Sequence, residues 1–509
     1  MARLARATPT SCGRFVTDAV GPLIAATLAV PLSAALLVAL MPTAGAADRL
    51  NLATSTLTAA LALALAVVAI AAAPDVASRG SWYVLDAASG VFLAVVAVVG
   101  FASAAMSAFY LRHAGRSWFT ARRSHAWYYA AFNIFWAVLL ALPLADNLAI
   151  AWLLIEASTA ASAMLVAFSG KRSALEAGWK YVVLTTLGLS IALLGIVVVY
   201  VAVDSDGSGL GRLDWQALAQ HADELPHEAT LFAFVLILVG LASKIGWAPV
   251  HNWLPDAHSE APPPVSALLS AALLPTVLLI AWRTKLALEP ALGSGAVQKL
   301  FIGFGLASLL VAIPFLWRPL PWKRLLAYSS LEHMGVLALG IGFGTTLAIA
   351  GVVIHVAGHA LAKALGFYTA IPLMREYPRT ADAPARGIAR TSPRTATAMS
   401  VSLFSLAGLP PSPLFVSEVM ILLGGMQAGL LAVSSIAAVL LALGFLGLAH
   451  SLLEGLFGGR KGPHGRSSRS VQAIALLAGI AAVALLGLTA IAYALPGSDI
   501  VEALMRSGA

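Results

Sequence analysis

One cysteine, Cys12, is all that 509 residues contain. No disulfide can form within the chain, and a metal or iron–sulfur site built from cysteine alone is excluded. Charge is nearly as scarce. Asp, Glu, Lys and Arg make up 11% of the sequence, against roughly 25% in ordinary soluble domains, so the polar surface of a water-facing globule is missing. Polar connections are also short: the longest, near 204–229 and 375–396, cannot build a core of their own. Finally, the apolar stretches do not alternate with polar residues, which excludes a transmembrane barrel.

What fills the chain instead is hydrophobic: 60% of its residues, in runs recurring from end to end. Runs of about 20 residues cross a hydrocarbon core of about 30 Å as helices. The expected fold is therefore an all-α polytopic membrane protein forming one membrane domain over 1–509. Bounded by charge, Pro and Gly, about fourteen spans are expected, at 19–42, 52–73, 83–110, 127–145, 148–168, 179–203, 230–257, 263–283, 298–317, 325–344, 345–374, 397–425, 428–454 and 471–495. The basic, then apolar N-terminus resembles a secretory leader, but its apolar run exceeds the roughly 7–15 residues of a leader core. It reads as a retained first helix.

Lys and Arg outnumber Asp and Glu, 31 to 23. In a membrane chain this reflects basic cytoplasmic loops rather than nucleic acid, and no nucleic-acid partner is expected. The basic loops follow spans three (Arg112, Arg116, Arg122, Arg123), five (Lys171, Arg172), nine (Arg318, Lys323, Arg324), eleven (Arg375, Arg379, Arg386, Arg390, Arg394) and thirteen (Arg460, Lys461, Arg466, Arg469). The loop after span six is acidic (Asp204, Asp206, Asp214, Asp223, Glu224). These loops put both termini on the outer side, although Arg3, Arg6 and Arg14 argue the other way.

Two spans are interrupted, the seventh around SKIGWAP and the twelfth around AGLPPSPLFVSE, and each interruption carries one ionisable residue, Lys244 and Glu418. Paired Gly/Pro-broken segments in two halves are a sign of inverted repeats around a mid-membrane ion site. The expected repeats are 127–283 (spans four to eight) and 298–454 (spans nine to thirteen), flanked by helices in 19–110 and 471–495.

Ionisable residues inside spans are costly and thus informative: Glu156, Lys244, Glu332, His333, His355, His359, Lys363 and Glu418. His355, His359 and Lys363, four and four apart, line one helix face at about 6 Å per step. Histidine titrates nearest to neutral, so the row suits a proton relay, with interhelical hydrogen bonding as the alternative for any single histidine. The HxxxH pair could instead bind metal, but it lacks the Glu of HExxH, and no metal is expected. Glu156 and Lys244 are expected to form an ion pair. Lys180, Lys323 and Arg324, at span edges, read as interface anchors, and Trp127, Trp179, Trp253 and Trp322 as an aromatic belt. Asp256, His258 and Glu260, at the mouth of the seventh span, read equally as solvated loop or as a point of proton uptake.

The stretch KIGWAPVHNWLPDAHSEAPPPVSALLS resembles the signature of the proton-translocating, antiporter-like membrane subunits of complex I and membrane-bound hydrogenases. LADNLAIAWLLIEASTAAS, WKRLLAYSSLEHMGVLALGIG, IHVAGHALAKALGFYTA and AGLPPSPLFVSEVMIL resemble the family's other blocks, in the same order, over about residues 125–425. PDAHSEAP and SSLEHMG are most similar to the hydrogenase-4 component F type. The resemblance implies that Glu156 and Lys244 are the conserved ion pair. It also implies that His355, His359 and Lys363 are the central relay and Glu418 the end of the second broken helix, with Lys323 a basic residue of less defined role. Complex I relatives often carry a histidine where this chain has Ser270, so Ser266 and Ser270 with water are expected to stand in for that link.

The function so implied is proton conduction, without catalysis of its own, in a redox-driven respiratory or hydrogenase-type complex. The alternatives are a gradient-driven multisubunit Na+/H+ antiporter subunit and the membrane partner of an inorganic-carbon uptake complex. No cofactor is expected in this chain; iron–sulfur, nickel or flavin centres belong to partner subunits. The expected partners are further membrane subunits of the family, a soluble redox arm, protons and possible quinone, in a bacterial inner membrane.

Overall fold

Long runs of Leu, Ala and Val with no water to hydrogen-bond their backbone have the helix as their one open-chain solution. The structure, a computed structural model, describes residues 11–112, 121–203, 213–376, 384, 386–459 and 469–506. The loop charges at Arg3, Arg6, Arg116, Asp204, Asp206, Arg379, Arg460, Lys461 and Arg466 lie outside the described residues. The helices are α1 (Ser11–Val38), α2 (Ala44–Ala71), α3 (Ala87–Leu111), α4 (Ala121–Ala141), α5 (Leu148–Val166), α6 (Arg172–Val203), α7 (Trp215–Gln220), α8 (His227–Ile245), α9 (Leu254–Glu260) and α10 (Pro263–Leu268). There follow α11 (Leu274–Leu292), α12 (Ser294–Leu316), α13 (Trp322–Phe343), α14 (Thr346–Glu376), α15 (Ile388–Thr391), α16 (Pro393–Leu406), α17 (Pro413–Gln427), α18 (Leu431–Phe457), α19 (Arg469–Ala494) and α20 (Asp499–Arg506). A small hairpin, β1 (Ser78–Arg79) with β2 (Val84–Leu85), is the only sheet among the described residues.

Among the described residues, thirteen helical stretches are long and apolar enough to cross a membrane, with Pro413–Gln427 a shorter apolar helix. The difference from fourteen lies in the stretch 397–425. It is split into α16 and α17, of 14 and 15 residues, because the Gly-Leu-Pro-Pro run between them cannot continue a helix. The eighth span is longer than its sequence suggests. α10 and α11 are joined by a π-turn at Leu269–Leu273 into one stretch, Pro263–Leu292, covered by neighbours on every side. α13 is covered in the same way.

The bundle keeps its buried ionisable residues within a largely apolar core and turns an apolar surface outward, as lipid requires. Leu36 and Val483 are 75% and 73% exposed on its surface, while Lys244, His355, His359 and Lys363 are each 0% exposed. Two of the tryptophans expected in an interfacial belt are buried, and the reason is the indole N–H. Trp253 Nε1 donates to Ser243 O at 2.6 Å and Trp322 Nε1 to Gly366 O at 2.8 Å. Trp127 and Trp179 do face outward.

Arg283, read from sequence as the end of a span, lies within α11 and is buried. Its guanidinium donates to Asp86 Oδ1 (2.8 Å), Ser89 Oγ (2.9 Å), Pro143 O (3.0 Å) and Ala145 O (3.1 Å). One side chain thus ties α11 to the start of α3 and to the turn after α4, and the planar fork of arginine suits it to four acceptors at once. Arg283→Met is expected to cost about 3–5 kcal/mol, since it strands a buried carboxylate. The check is a lower Tm of the detergent-solubilised protein, with part of the loss regained in Arg283→Met/Asp86→Asn.

Candidate functional site

The first break is built by Gly246. Its φ of 81° ends α8 in the left-handed region, where glycine carries no Cβ penalty. The chain that follows is held from outside: Trp247 Nε1 donates to Met334 O (2.8 Å) and Ala248 N to Ser308 Oγ (3.0 Å). The Trp253 indole takes up the Ser243 carbonyl freed by the break. Backbone that would be stranded in a membrane is thereby satisfied.

Lys244 sits in the last turn of α8. Small residues let α6 approach α8 closely: a Cβ at Gly240 would lie 2.5 Å from Gly188 O, the close-packing device of membrane helices. The approach brings α6 side chains to the lysine. Nζ donates to Tyr181 OH (2.6 Å) and Thr159 Oγ1 (2.7 Å), and lies 4.5 Å from the centre of the Tyr181 ring. Tyr181 OH is in turn within 2.8 Å of Ser162 Oγ. Glu156, half-buried on α5, accepts from Thr186 Oγ1 at 2.8 Å, and its Oε2 has no hydrogen-bond partner. The two residues expected to pair are within electrostatic reach but make no ion pair. Hydroxyls of α5 and α6 stand at both instead.

Beyond the break, the residues named from sequence take different positions. Asp256 bridges Lys180 (3.3 Å) and Arg324 (3.1 Å), so these two cations are paired rather than simple anchors. Lys323 turns inward and donates to Ala261 O at 2.6 Å. His258 is fully buried, its ring packed between Trp253 (6.1 Å) and Phe367 (5.7 Å), and neither ring nitrogen has a hydrogen-bond partner. The solvated-loop reading fails for His258. Ser270, in the π-turn, meets Ser330 Oγ at 2.8 Å, while Ser266 bonds back to His258 O at 2.8 Å.

α14 carries the central row. Lys363 Nζ donates to Leu326 O (2.6 Å) and Ser329 Oγ on α13. The His359 ring packs 5.2 Å from that of His333. His333 Nδ1 and His355 Nε2 are 3.0 Å apart, and His355 Nδ1 reaches Ser417 Oγ on α17 at 2.9 Å. Glu332 is buried, and the absence of a side chain at Gly444 makes room for its carboxylate.

Glu418 lies on α17 just after the second break. Gly408 turns the chain there at φ 64°, and a Cβ on it would stand 2.5 Å from Glu418 Oε2. Ser412 caps α17 by accepting from Phe415 N (3.2 Å), and Thr489 of α19 holds the Pro411 carbonyl (2.8 Å). Ligating atoms of His333, His355 and Glu418 all fall within 4.8 Å of one another.

A line of side chains, titratable groups joined by aromatic rings, therefore runs through the centre of the bundle. From Lys244 it follows Tyr181, Trp253 and His258 to Phe367 and Lys363, then the three histidines to Glu418. Such a set can accept and release protons at several fixed points. The sequence reading missed Thr159, Ser162, Tyr181, Thr186, Ser329 and Ser417, the hydroxyls that hold these groups. Part of the signal was there: Glu156, Thr159 and Ser162 recur every third residue, along one side of α5.

A profile of the family described as NADH:quinone oxidoreductase/Mrp antiporter, TM, matches residues 145–444. The chain is similar to the hydrogenase-4 component F homolog of Methylacidiphilum infernorum (isolate V4). The two are 32% identical over 389 residues, 75% of this chain and 80% of the relative. It is also similar to NADH-quinone oxidoreductase subunit N of Desulforudis audaxviator (strain MP104C), at 30% identity over 384 residues and 73% of each chain. Among solved structures, a chain of the membrane-bound sulfane sulfur reductase, an archaeal respiratory membrane complex, has the same fold. Its TM-score is 0.83 at 21% identity, over 96% of this chain and 99% of that one.

Tyr181→Phe removes one acceptor from a fully buried ammonium group and is expected to cost about 1.5–3 kcal/mol. The measurement is the Tm of the purified protein, compared with Ser190→Ala on the exposed side of the same helix, which is expected to leave Tm unchanged.

Proposed function

The chain belongs to the NADH:quinone oxidoreductase/Mrp antiporter membrane family, and from that premise we propose that it conducts protons as a membrane subunit of a redox-driven complex of the hydrogenase or complex I type. The observation that carries the reading is the buried line from Lys244 through His359, His333 and His355 to Glu418, with Glu156 beside its start. Protons move along it between nitrogens and oxygens, directly where groups touch and through water elsewhere. Lys244 and Lys363 change protonation state, the histidines pass the proton between them, and Glu156 and Glu418 stand at the two ends. His258 lies between the halves, and Glu332, Lys323, Asp256 and Ser270 support the path from its sides.

Hydroxyl partners favour this use. A hydroxyl accepts from an ammonium and donates to a neutral amine equally well, so Thr159 and Tyr181 can hold Lys244 in both states. The two breaks, each made by a glycine of positive φ before a proline-containing turn, support inverted repeats over 127–283 and 298–454.

In this reading the chain carries no redox centre. Iron–sulfur, nickel or flavin groups, and a quinone site, belong to the partners: related membrane subunits and a soluble redox arm. The chain is placed in a bacterial inner membrane, where its basic loops favour both termini outside. The similarity to the hydrogenase-4 component F homolog favours a redox-driven assembly over the gradient-driven alternatives.

Lys244→Ala and Glu156→Gln are each expected to abolish coupled proton movement, read as fluorescent-dye quenching in inverted vesicles, while membrane levels of the protein stay normal. Unchanged proton movement in either variant overturns the path. A mild-detergent pull-down of a tagged copy is expected to recover a nickel- or iron–sulfur-binding soluble arm. Recovery of only small membrane subunits, or of a carbonic-anhydrase-like protein, assigns the chain to a gradient-driven complex instead.

A further inference from the structure

We propose that His333, His355 and Glu418 form a binding site for a borderline divalent transition-metal ion, zinc being the type case. His333 Nδ1 and His355 Nε2 are 3.0 Å apart. Two nitrogens bound to one tetrahedral ion at about 2.0–2.1 Å stand about 3.3–3.4 Å from each other, so the pair needs to open by only a few tenths of an ångström. All the ligating atoms, the Glu418 carboxylate included, lie within 4.8 Å. Rotation about the last bonds of the glutamate closes the remaining gap, because those torsions are soft.

The hydrogen bonds around the site set the ring states a metal needs. Ser417 Oγ donates its one proton to Leu414 O at 2.8 Å, so toward His355 Nδ1, at 2.9 Å, it acts as acceptor. Nδ1 of His355 therefore carries the proton, and the lone pair of Nε2 points at the site. This is the arrangement in which a neighbouring acceptor fixes a ligating imidazole. His333 answers with Nδ1 facing the same point, while its Nε2 has no hydrogen-bond partner and the Leu406 carbonyl stands near its ring. Moving the His333 proton from Nδ1 to Nε2 presents the second lone pair without releasing a proton.

Glu418 contributes the one carboxylate ligand, Glu332 and Lys363, both within electrostatic reach of the site, offset each other, and Glu418 is only partly buried where the histidines are covered. Two imidazoles and one carboxylate suit zinc, cobalt or nickel and are a poor match for magnesium, calcium or sodium, which prefer oxygen throughout. Three protein ligands leave a fourth position open.

Binding follows from this geometry alone. Its consequence rests on the relay proposed above: an ion holding both lone pairs blocks transfer between His333 and His355, so zinc inhibits proton movement. The test is equilibrium dialysis of zinc chloride against the purified complex without a polyhistidine tag, with zinc-edge X-ray absorption. One ion per chain is expected. It should be retained in Cys12→Ser, lost in His355→Ala and Glu418→Gln, and held about 10–100-fold more weakly in Ser417→Ala, which keeps every ligand but loses the acceptor that orients His355. The absorption edge should report two imidazoles. No saturable binding, or binding unaltered by both Ser417→Ala and His355→Ala, overturns the site. Zinc bound with these signatures but without effect on proton movement upholds the site and overturns the relay through these histidines.

Discussion

Lys244 lies where a helix cannot continue, in the last turn before a glycine of left-handed φ. An ammonium group taken out of water loses its hydration and has to be given hydrogen-bond acceptors. The break beside it also frees backbone carbonyls, which have the same need. Much of the first half answers these two demands. Gly188 and Gly240 let α6 reach α8, Tyr181 and Thr159 reach the ammonium, and the Trp253 indole takes up a freed carbonyl. Arg283, with its four acceptors, fixes the neighbouring helices that enclose this region.

The second break meets the same demands with different residues. Ser412 caps the resuming helix, Thr489 holds a carbonyl from α19, and Gly408 clears the space that Glu418 occupies. Between the breaks, the α14 row leans on α13 and α17: Lys363 on Ser329 and the Leu326 carbonyl, His355 on His333 and Ser417. The partners of Lys244 and Lys363 are hydroxyls, a carbonyl and an aromatic ring, none of them a carboxylate in contact. A carboxylate at contact distance would favour one protonation state strongly, whereas hydroxyls serve either. The same uncommitted nitrogens that suit a proton also suit a metal ion.

Helical periodicity made the α14 row legible, because residues four apart must share a face whatever surrounds the helix. The broken helices were legible too, since Pro and Gly act on the local backbone. The Glu156–Lys244 contact was not. Lys244 is buried and Glu156 half-buried, but whether they touch depends on how α5, α6 and α8 pack, and Tyr181 and Thr159 hold the ammonium instead. Likewise Trp253, Trp322 and His258 look like interfacial or loop residues along the chain and are buried in the fold.

The sequence by itself determined the membrane-helical class, the two breaks and the identities of the ionisable residues. Each follows from composition or from interactions spanning a few residues. Only the tertiary structure decided the partners: hydroxyls rather than a carboxylate for Lys244, four acceptors for Arg283, and His333 beside His355 with Glu418 within reach. These contacts join residues 22 to 197 positions apart, and no local rule of backbone or spacing reaches that far.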